Sequence, residues 1–304
     1  MANKLRIGTR ESQLALWQAS LVKSLLKHHA VDAELIPIKS EGDLDLVTPL
    51  YAMGVQGIFT RSLDEALLNN KIDLAVHSMK DVPVQLPAGL SEAAVLERDN
   101  PYDLLVPHPL NKNISVGSPS TIASSSLRRK AQWLHRYPSD IIEPIRGNVN
   151  TRLKKLAESN WRGAIFAAAG LERIGLRPPE AQQLEWMIPA PAQGAVMVVC
   201  RSRDEIIISQ CQSIHHRQTS FCVQIERDFL ATLLGGCSTP IGALAEIAGE
   251  DIFFRGNLLD PSGDKMFSIE KRVSMELASS LGSSAARELL DNGGREILEQ
   301  KLHA

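Results

Sequence analysis

Ile72-Asp73-Leu74-Ala75-Val76-His77-Ser78-Met79-Lys80-Asp81-Val82-Pro83 begins as a buried strand and ends in polar chemistry. Residues 74–76 form the strand, and Asp81 falls just past its end. In an open α/β sheet, ligands sit outside the carboxyl ends of the strands. Asp81, next to Lys80, is therefore a candidate general acid/base or a stabiliser of a cationic intermediate. An Asp that only caps the next turn is the alternative. His77 reads as a hydrogen-bonded core residue. No second His or Cys stands at metal spacing, so no metal site is expected.

Outward from this segment, short apolar runs at 5–8, 34–38, 141–145, 164–167 and 196–199 read as further strands. Between them Leu14, Trp17, Leu21 and Leu25 mark a helix face, as do Leu63, Ala66 and Leu67, and then Leu153, Leu156 and Ala157. Strands alternating with helices predict α/β architecture with mainly parallel sheets, in two lobes. Pro and Gly cluster at Asp99-Asn100-Pro101 and from Pro189 to Gly194, which reads as two crossings between the lobes. Beyond about residue 217, runs at 252–259 and 266–273 flank Asp260-Pro261-Ser262-Gly263, a hairpin signal, and a helix is expected over 285–298. The expected division is 1–97 with 195–214, then 98–194, then a smaller C-terminal α+β domain over 215–304. Residues 42–57 lack periodicity and read as a functional or mobile loop, with an ordinary surface excursion as the alternative.

The 304-residue length is consistent with two or three domains. A net charge of −2 gives no global field for nucleic acid, and no apolar run is long enough to span a bilayer. The first residues lack the apolar stretch of an export signal, so a cytoplasmic location is expected. Four cysteines, Cys200, Cys211, Cys222 and Cys237, contain no CxxC pair, and inert buried thiols are the ordinary reading.

Cationic residues beside hydroxyls at predicted helix starts are the most informative pattern. Thr9-Arg10, Ser78-Met79-Lys80, Ser126-Leu127-Arg128-Arg129 and Thr151-Arg152 all have it, and Arg146-Gly147-Asn148 adds another cation. A helix N-terminus disfavours Arg unless an anion binds there. Arg grips carboxylate or phosphate bidentately, so the expected ligand carries several such groups. Leu234-Gly235-Gly236-Cys237-Ser238 places a thiol in a glycine-freed loop, as a candidate nucleophile or covalent attachment point, with a small residue in a tight turn as the alternative.

Together these segments resemble the porphobilinogen deaminase family. Arg6-Ile7-Gly8-Thr9-Arg10-Glu11-Ser12-Gln13-Leu14-Ala15-Leu16 is similar to the family's opening motif. Residues 73–83 (DLAVHSMKDVP), 125–129 (SSLRR), 146–153 (RGNVNTRL), 168–173 (AAGLER) and 235–237 (GGC) follow in family order. The resemblance implies two lobes related to periplasmic solute-binding proteins plus a third domain. It also implies a dipyrromethane cofactor bound through a thioether to Cys237, and a monomer acting on porphobilinogen with no nucleic-acid or membrane partner. Asp81, with Lys80, matches the catalytic position. Ser78, Lys80, Asp81, Ser124, Ser126, Arg128, Arg129, Arg146 and Arg152 match cofactor contacts. Arg10, Ser12, Arg146, Arg173 and Gln193 match the substrate side. The chain departs from the family at Ala123 and Ala192, where glycines are usual, and at Gln56, where a Lys is usual. Two other readings compete: a non-catalytic anion-binding protein of the solute-binding type, and an enzyme using Lys80 as a Schiff base.

Overall fold

The structure, a computed structural model, describes residues 4–39, 60–110, 119–233 and 239–302. The loop expected at 42–57, with Gln56, and the Cys237 turn lie outside the described residues. Five strands build the first sheet: β1 (Leu5–Thr9), β2 (Ala33–Pro37), β3 (Leu74–Ser78), β4 (Leu90–Val95) and β10 (Val196–Arg201), in the order β2-β1-β3-β10-β4. The first three are parallel, and β10 runs antiparallel to both its neighbours. Their two-residue alternation sorts the core onto two faces. Leu74, Val76, Val196 and Val198 pack with Ala19, Val22 and Leu26 of α1 (Gln13–His28). Ala75, Met197 and Val199 pack with Leu63 and Leu67 of α2 (Arg61–Leu68).

The second sheet repeats this plan. β5 (Asp103–Pro107), β6 (Thr121–Ala123), β7 (Ile141–Glu143), β8 (Gly163–Ala167) and β9 (Gln182–Gln183) lie in the order β7-β6-β8-β5-β9. β7, β6 and β8 are parallel, and β5 is antiparallel to β8 and β9. α3 (Leu127–Arg136), α4 (Val149–Ala157) and α5 (Ala168–Glu172) each follow one of the parallel strands. In each lobe, then, a fourth strand next to the parallel trio connects directly to the other lobe. The chain passes over through residues 96–102 and returns through 184–195. Two crossings leave a cleft between lobes, with strand carboxyl ends from both sides available to line it.

After β10 come α6 (Glu205–Cys211) and α7 (Arg217–Thr232). The antiparallel sheet β11 (Ile241–Ala248), β12 (Asp251–Leu259), β13 (Met266–Ser274) follows, with α8 (Leu281–Leu289) and α9 (Arg295–Leu302) after it. Phe229 of α7 and Phe254 of β12 anchor its core edge to face, centroids 5.2 Å apart. The architecture is two α/β lobes with parallel strand trios plus a smaller α+β domain.

Two boundaries differ from expectation. The helix expected over 285–298 is broken: residues 290–294 kink it, with Gly293 at φ 111°, a conformation open to glycine. The strand expected to reach 145 stops at Glu143, because Pro144 has no N–H to give a neighbour. Among the described residues, no helix is long and apolar enough to cross a membrane.

Candidate active site

From the first lobe, the ends of β1 and β3 bring Arg10, Ser78, Lys80 and Asp81 forward. Ser12 caps α1 by accepting a hydrogen bond from the Ala15 N–H at 3.3 Å. Ser78 Oγ accepts from the buried Gln18 Nε2 at 2.9 Å. Met79, 1% exposed, is the apolar peg of a single 3₁₀ turn that leaves Asp81 exposed and Lys80 half-buried. Arg227 of α7 holds the chain just beyond, donating to the carbonyls of Val82, Pro83 and Val84 at 3.1, 2.6 and 3.1 Å. The third domain thus fixes the segment on which Asp81 stands.

From the second lobe, the β6–α3 connection supplies Ser124, Ser126, Arg128 and Arg129. Ser126 is the N-cap of α3, and Ser124 Oγ accepts from its backbone N–H at 3.3 Å. Asn148 caps α4, accepting from Thr151 N at 3.0 Å, and Arg152 Nε donates to Gly147 O at 2.7 Å. None of α1, α3 and α4 carries an acidic residue in its first turn, so these helix starts remain electropositive.

A residue the sequence reading missed organises the arginines. Asp103, fully buried on β5, accepts from Arg129 Nε and Nη2 at 3.1 and 2.7 Å and pairs with Arg128 Nη2 at 2.8 Å. Gln193 Nε2 donates to the same carboxylate at 2.9 Å, and Gln193 Oε1 accepts from Lys80 Nζ at 3.1 Å. The available signal was an Asp leading the apolar run Leu104-Leu105-Val106: a charge in a buried strand must be paired.

The cations lie close enough to feel one another. Burial, then Arg129, Arg146 and Arg10, depress the Arg152 guanidinium to about 10, against the pull of Asp81. Burial, Arg129 and Arg128 lower Lys80 to about 8, with Asp81 and Asp103 opposing. Arg10, Lys80, Arg128, Arg129, Arg146 and Arg152 therefore share one site with the carboxylates Asp81 and Asp103. In a chain of net charge −2 this is a strong local excess of positive charge. His77 is buried and in the core, but its Nε2 meets no hydrogen-bond partner among the described residues. Burial and the charge of Arg10 push it down to about 4, so the ring is neutral at pH 7.

Arg173 and Gln193 sit at the crossings. Arg173 donates to Asp99 Oδ2 at 2.7 Å and to Gly194 O at 2.6 Å, and its guanidinium lies 5.7 Å from the Trp17 ring centroid of the other lobe. Gly194, at φ 89°, lets the two crossings touch, since a Cβ there would stand 2.6 Å from Asp99 O. Arg98 reaches Gln193 O at 2.8 Å and pairs with the fully buried Glu226 of α7 at 2.6 Å. Glu226 also accepts from Ala192 N at 2.7 Å and from Ala245 N at 2.8 Å. Ala192 adopts φ 62°, keeping a glycine-type turn at a cost of about 1 kcal/mol. Ala123 shows no such strain and closes a strand with ordinary backbone angles.

Cys200, Cys211 and Cys222 are free and buried, and burial raises the latter two thiols to about 12 and about 11. Among the described residues, no group of three or more His, Cys, Asp or Glu side chains could hold a metal ion.

Fold and site together define a two-lobed protein that gathers cations from both lobes around the exposed carboxylate of Asp81. A family model described as porphobilinogen deaminase, dipyromethane cofactor binding domain, matches residues 5–209, and one described as porphobilinogen deaminase, C-terminal domain, matches residues 220–291. The chain belongs to the porphobilinogen deaminase family, a family of tetrapyrrole-building enzymes. Slight likenesses to solved structures accompany this. The methionine-binding protein MetQ is 14% identical, with TM-score 0.44, over 71% of this chain and 92% of that one. A periplasmic substrate-binding protein of an ABC transporter from Coxiella burnetii is 11% identical, with TM-score 0.44, over 71% and 94%. A methionine-bound nutrient-binding protein from Burkholderia cenocepacia is 12% identical, with TM-score 0.42, over 71% and 93%. Likenesses this slight say nothing of ligand or reaction.

Proposed function

We propose that this chain condenses four porphobilinogen molecules head to tail, with loss of ammonia, into hydroxymethylbilane, on a dipyrromethane primer joined through a thioether to Cys237. The observation that carries the reading is the convergence of six cations from both lobes around the exposed carboxylate of Asp81. Each pyrrole unit brings an acetate and a propionate, so a growing chain demands such a surface. The donor set fits the primer: the guanidinium groups are partly buried and fixed, and Arg128 Nε is buried with no hydrogen-bond partner among the described residues. When bound, the primer supplies the pyrrole carbon on which the chain is extended.

In this reading Ser78, Ser124, Ser126, Arg128, Arg129, Arg146 and Arg152 hold the carboxylates of primer and product chain. Arg10 and Ser12 receive the incoming substrate, with Arg173 and Gln193 on its side at the crossings. Asp81 keeps a negative charge beside the methylene carbon as ammonia departs, stabilising the positive charge that develops there. Lys80 donates to the leaving or bound groups. The lobes take residues 1–97 with 195–214 and 98–194, residues 215–304 carry the anchor, and the enzyme acts as a cytoplasmic monomer. Incubation with porphobilinogen should release four ammonia molecules per hydroxymethylbilane. Substrate binding without ammonia release would leave only an anion-binding protein. Burial and the neighbouring arginines lower Lys80 to about 8, so the second reading is an enzyme that joins Lys80 to an anionic aldehyde or ketone substrate as a Schiff base, with loss of water. Borohydride trapping of such a carbonyl compound on Lys80 would establish it.

A further inference from the structure

We propose that Asp103 is the positioning residue of the cationic face: it fixes Arg128 and Arg129 and, through Gln193, carries that order across the cleft to Lys80. The inference deepens the reading above, and rests on it only where the primer is measured. Arg128 and Arg129 are consecutive on α3, so their side chains leave the helix about 100° apart. They stand in its first turn, where the helix dipole disfavours cations. Both nevertheless turn onto one carboxylate, Arg128 at Oδ2 and Arg129 at Oδ1. Their outer nitrogens are tied as well, Arg128 Nη1 to Ile188 O at 2.8 Å and Arg129 Nη1 to Ile165 O at 2.9 Å. The pair keeps one net positive charge after Asp103 is counted, and keeps it at a fixed place.

Gln193 extends this order. Its Nε2 donates to Asp103 Oδ1 and to Pro101 O at 2.8 Å, and its Oε1 accepts from Lys80 Nζ. Pro101 belongs to the first crossing and Gln193 to the second, so one amide links both crossings, the arginine pair and the lysine of the opposite lobe. Asp103 itself is fully buried, so it acts on bound ligand only through these partners.

The charges facing Lys80 are Asp81 on its own turn, Asp103 on β5, and Arg128 and Arg129 on α3. Removing each should move the proton on Lys80 in a known direction. The test is acylation of Lys80 by trace acetic anhydride across a pH series, read on its peptide by mass spectrometry, with phenylglyoxal labelling of Arg128 and Arg129 in parallel. Wild-type Lys80 should titrate near 8. In Asp103→Asn its midpoint should fall by about half a unit or more, and both arginines should label several-fold faster. Asp103→Glu should return both readings most of the way. Arg128→Gln, which leaves Asp103 in place, should shift Lys80 the opposite way, towards alkaline pH, and serves alone if Asp103→Asn does not fold. On the functional side, the fraction of protein carrying two linked pyrrole units should fall several-fold in Asp103→Asn and recover in Asp103→Glu. Wild type lacking that mass would sink the deaminase reading, while the labelling would still judge Asp103. Unchanged Lys80 titration and arginine labelling in Asp103→Asn, or no alkaline shift in Arg128→Gln, would reduce Asp103 to a core ion and overturn the proposal.

Discussion

Replacing Glu226 by Gln tests whether the third domain holds the two crossings together. The glutamate is fully buried and accepts four hydrogen bonds: Oε1 from Arg98 Nη1 at 2.6 Å and Ala245 N at 2.8 Å, and Oε2 from Arg98 Nη2 at 3.1 Å and Ala192 N at 2.7 Å. Gln has the same shape, but whichever way its amide turns, the NH2 faces two N–H donors. Two bonds are lost, two donors are left unmet at about 1–3 kcal/mol each, and the Arg98 charge, 11% exposed, loses its counter-ion. Breaking one side of a buried pair costs about 3–5 kcal/mol, and about 4 kcal/mol is expected here. That is a large part of a total stability of about 5–15 kcal/mol. Urea unfolding followed by circular dichroism should show it as a midpoint lower by about 1–2 M. Amide exchange over residues 190–195 should quicken, because the left-handed Ala192 depends on this contact. The control is Glu246→Gln, whose partner Arg255 lies 3.4 Å away and whose side chain is 42% exposed; it should change stability by less than about 1 kcal/mol. If Glu226→Gln behaves like Glu246→Gln, the junction does not hold the crossings and the reasoning fails.

Asp81→Asn should lower turnover on the order of a hundredfold or more with little change in unfolding, since an exposed, nearly isosteric change removes only the charge; rates within a few-fold of wild type would make Asp81 a capping residue. Asp73 would be raised by burial, but hydrogen bonds from the Arg6 side chain and backbone and from Arg201 outweigh this and hold it at about 2. A lowered carboxylate stabilises the fold above its unfolded value near 4 and loses that contribution as pH falls through about 2. Asp73→Asn should therefore flatten the acid limb of stability between those values, measured by fluorescence of the folded fraction against pH. Cys211 and Cys222, raised to about 12 and about 11 by burial, should resist maleimide labelling at pH 8 in folded protein and react once it is unfolded in urea.

The sequence made the parallel strands legible because their apolar runs are short, bounded by polar residues, and separated by helical stripes such as Leu63, Ala66 and Leu67. The hairpin was readable to within a residue at each end, because Asp260-Pro261-Ser262-Gly263 dictates a turn and Asp260 accepts from the Ser262 and Lys265 backbones. β6 and β9, at three and two residues, are too short to show a period, and tertiary pairing alone makes them strands. On the site side, the cations beside hydroxyls at helix starts could be picked out from local helix electrostatics, whereas their closeness to one another rests on tertiary packing that no local pattern carries. Asp103 and Glu226 escaped notice for a shared reason. A buried carboxylate is identified by partners that are remote in sequence: Asp103 meets Gln193 across 90 residues, and Glu226 meets Arg98 across 128.

The central claim, that this cleft serves a covalently anchored pyrrole chain, is tested most directly by the intact mass of protein purified from cells that make porphobilinogen. The account predicts a denatured protein heavier than its sequence by two linked pyrrole units. The extra mass should persist in thiol, as a thioether does not exchange, and should map to the peptide containing Gly235-Gly236-Cys237. Cys237→Ser should lack the added mass and be inactive. An unmodified mass in a protein that still releases ammonia from porphobilinogen at full rate would contradict it.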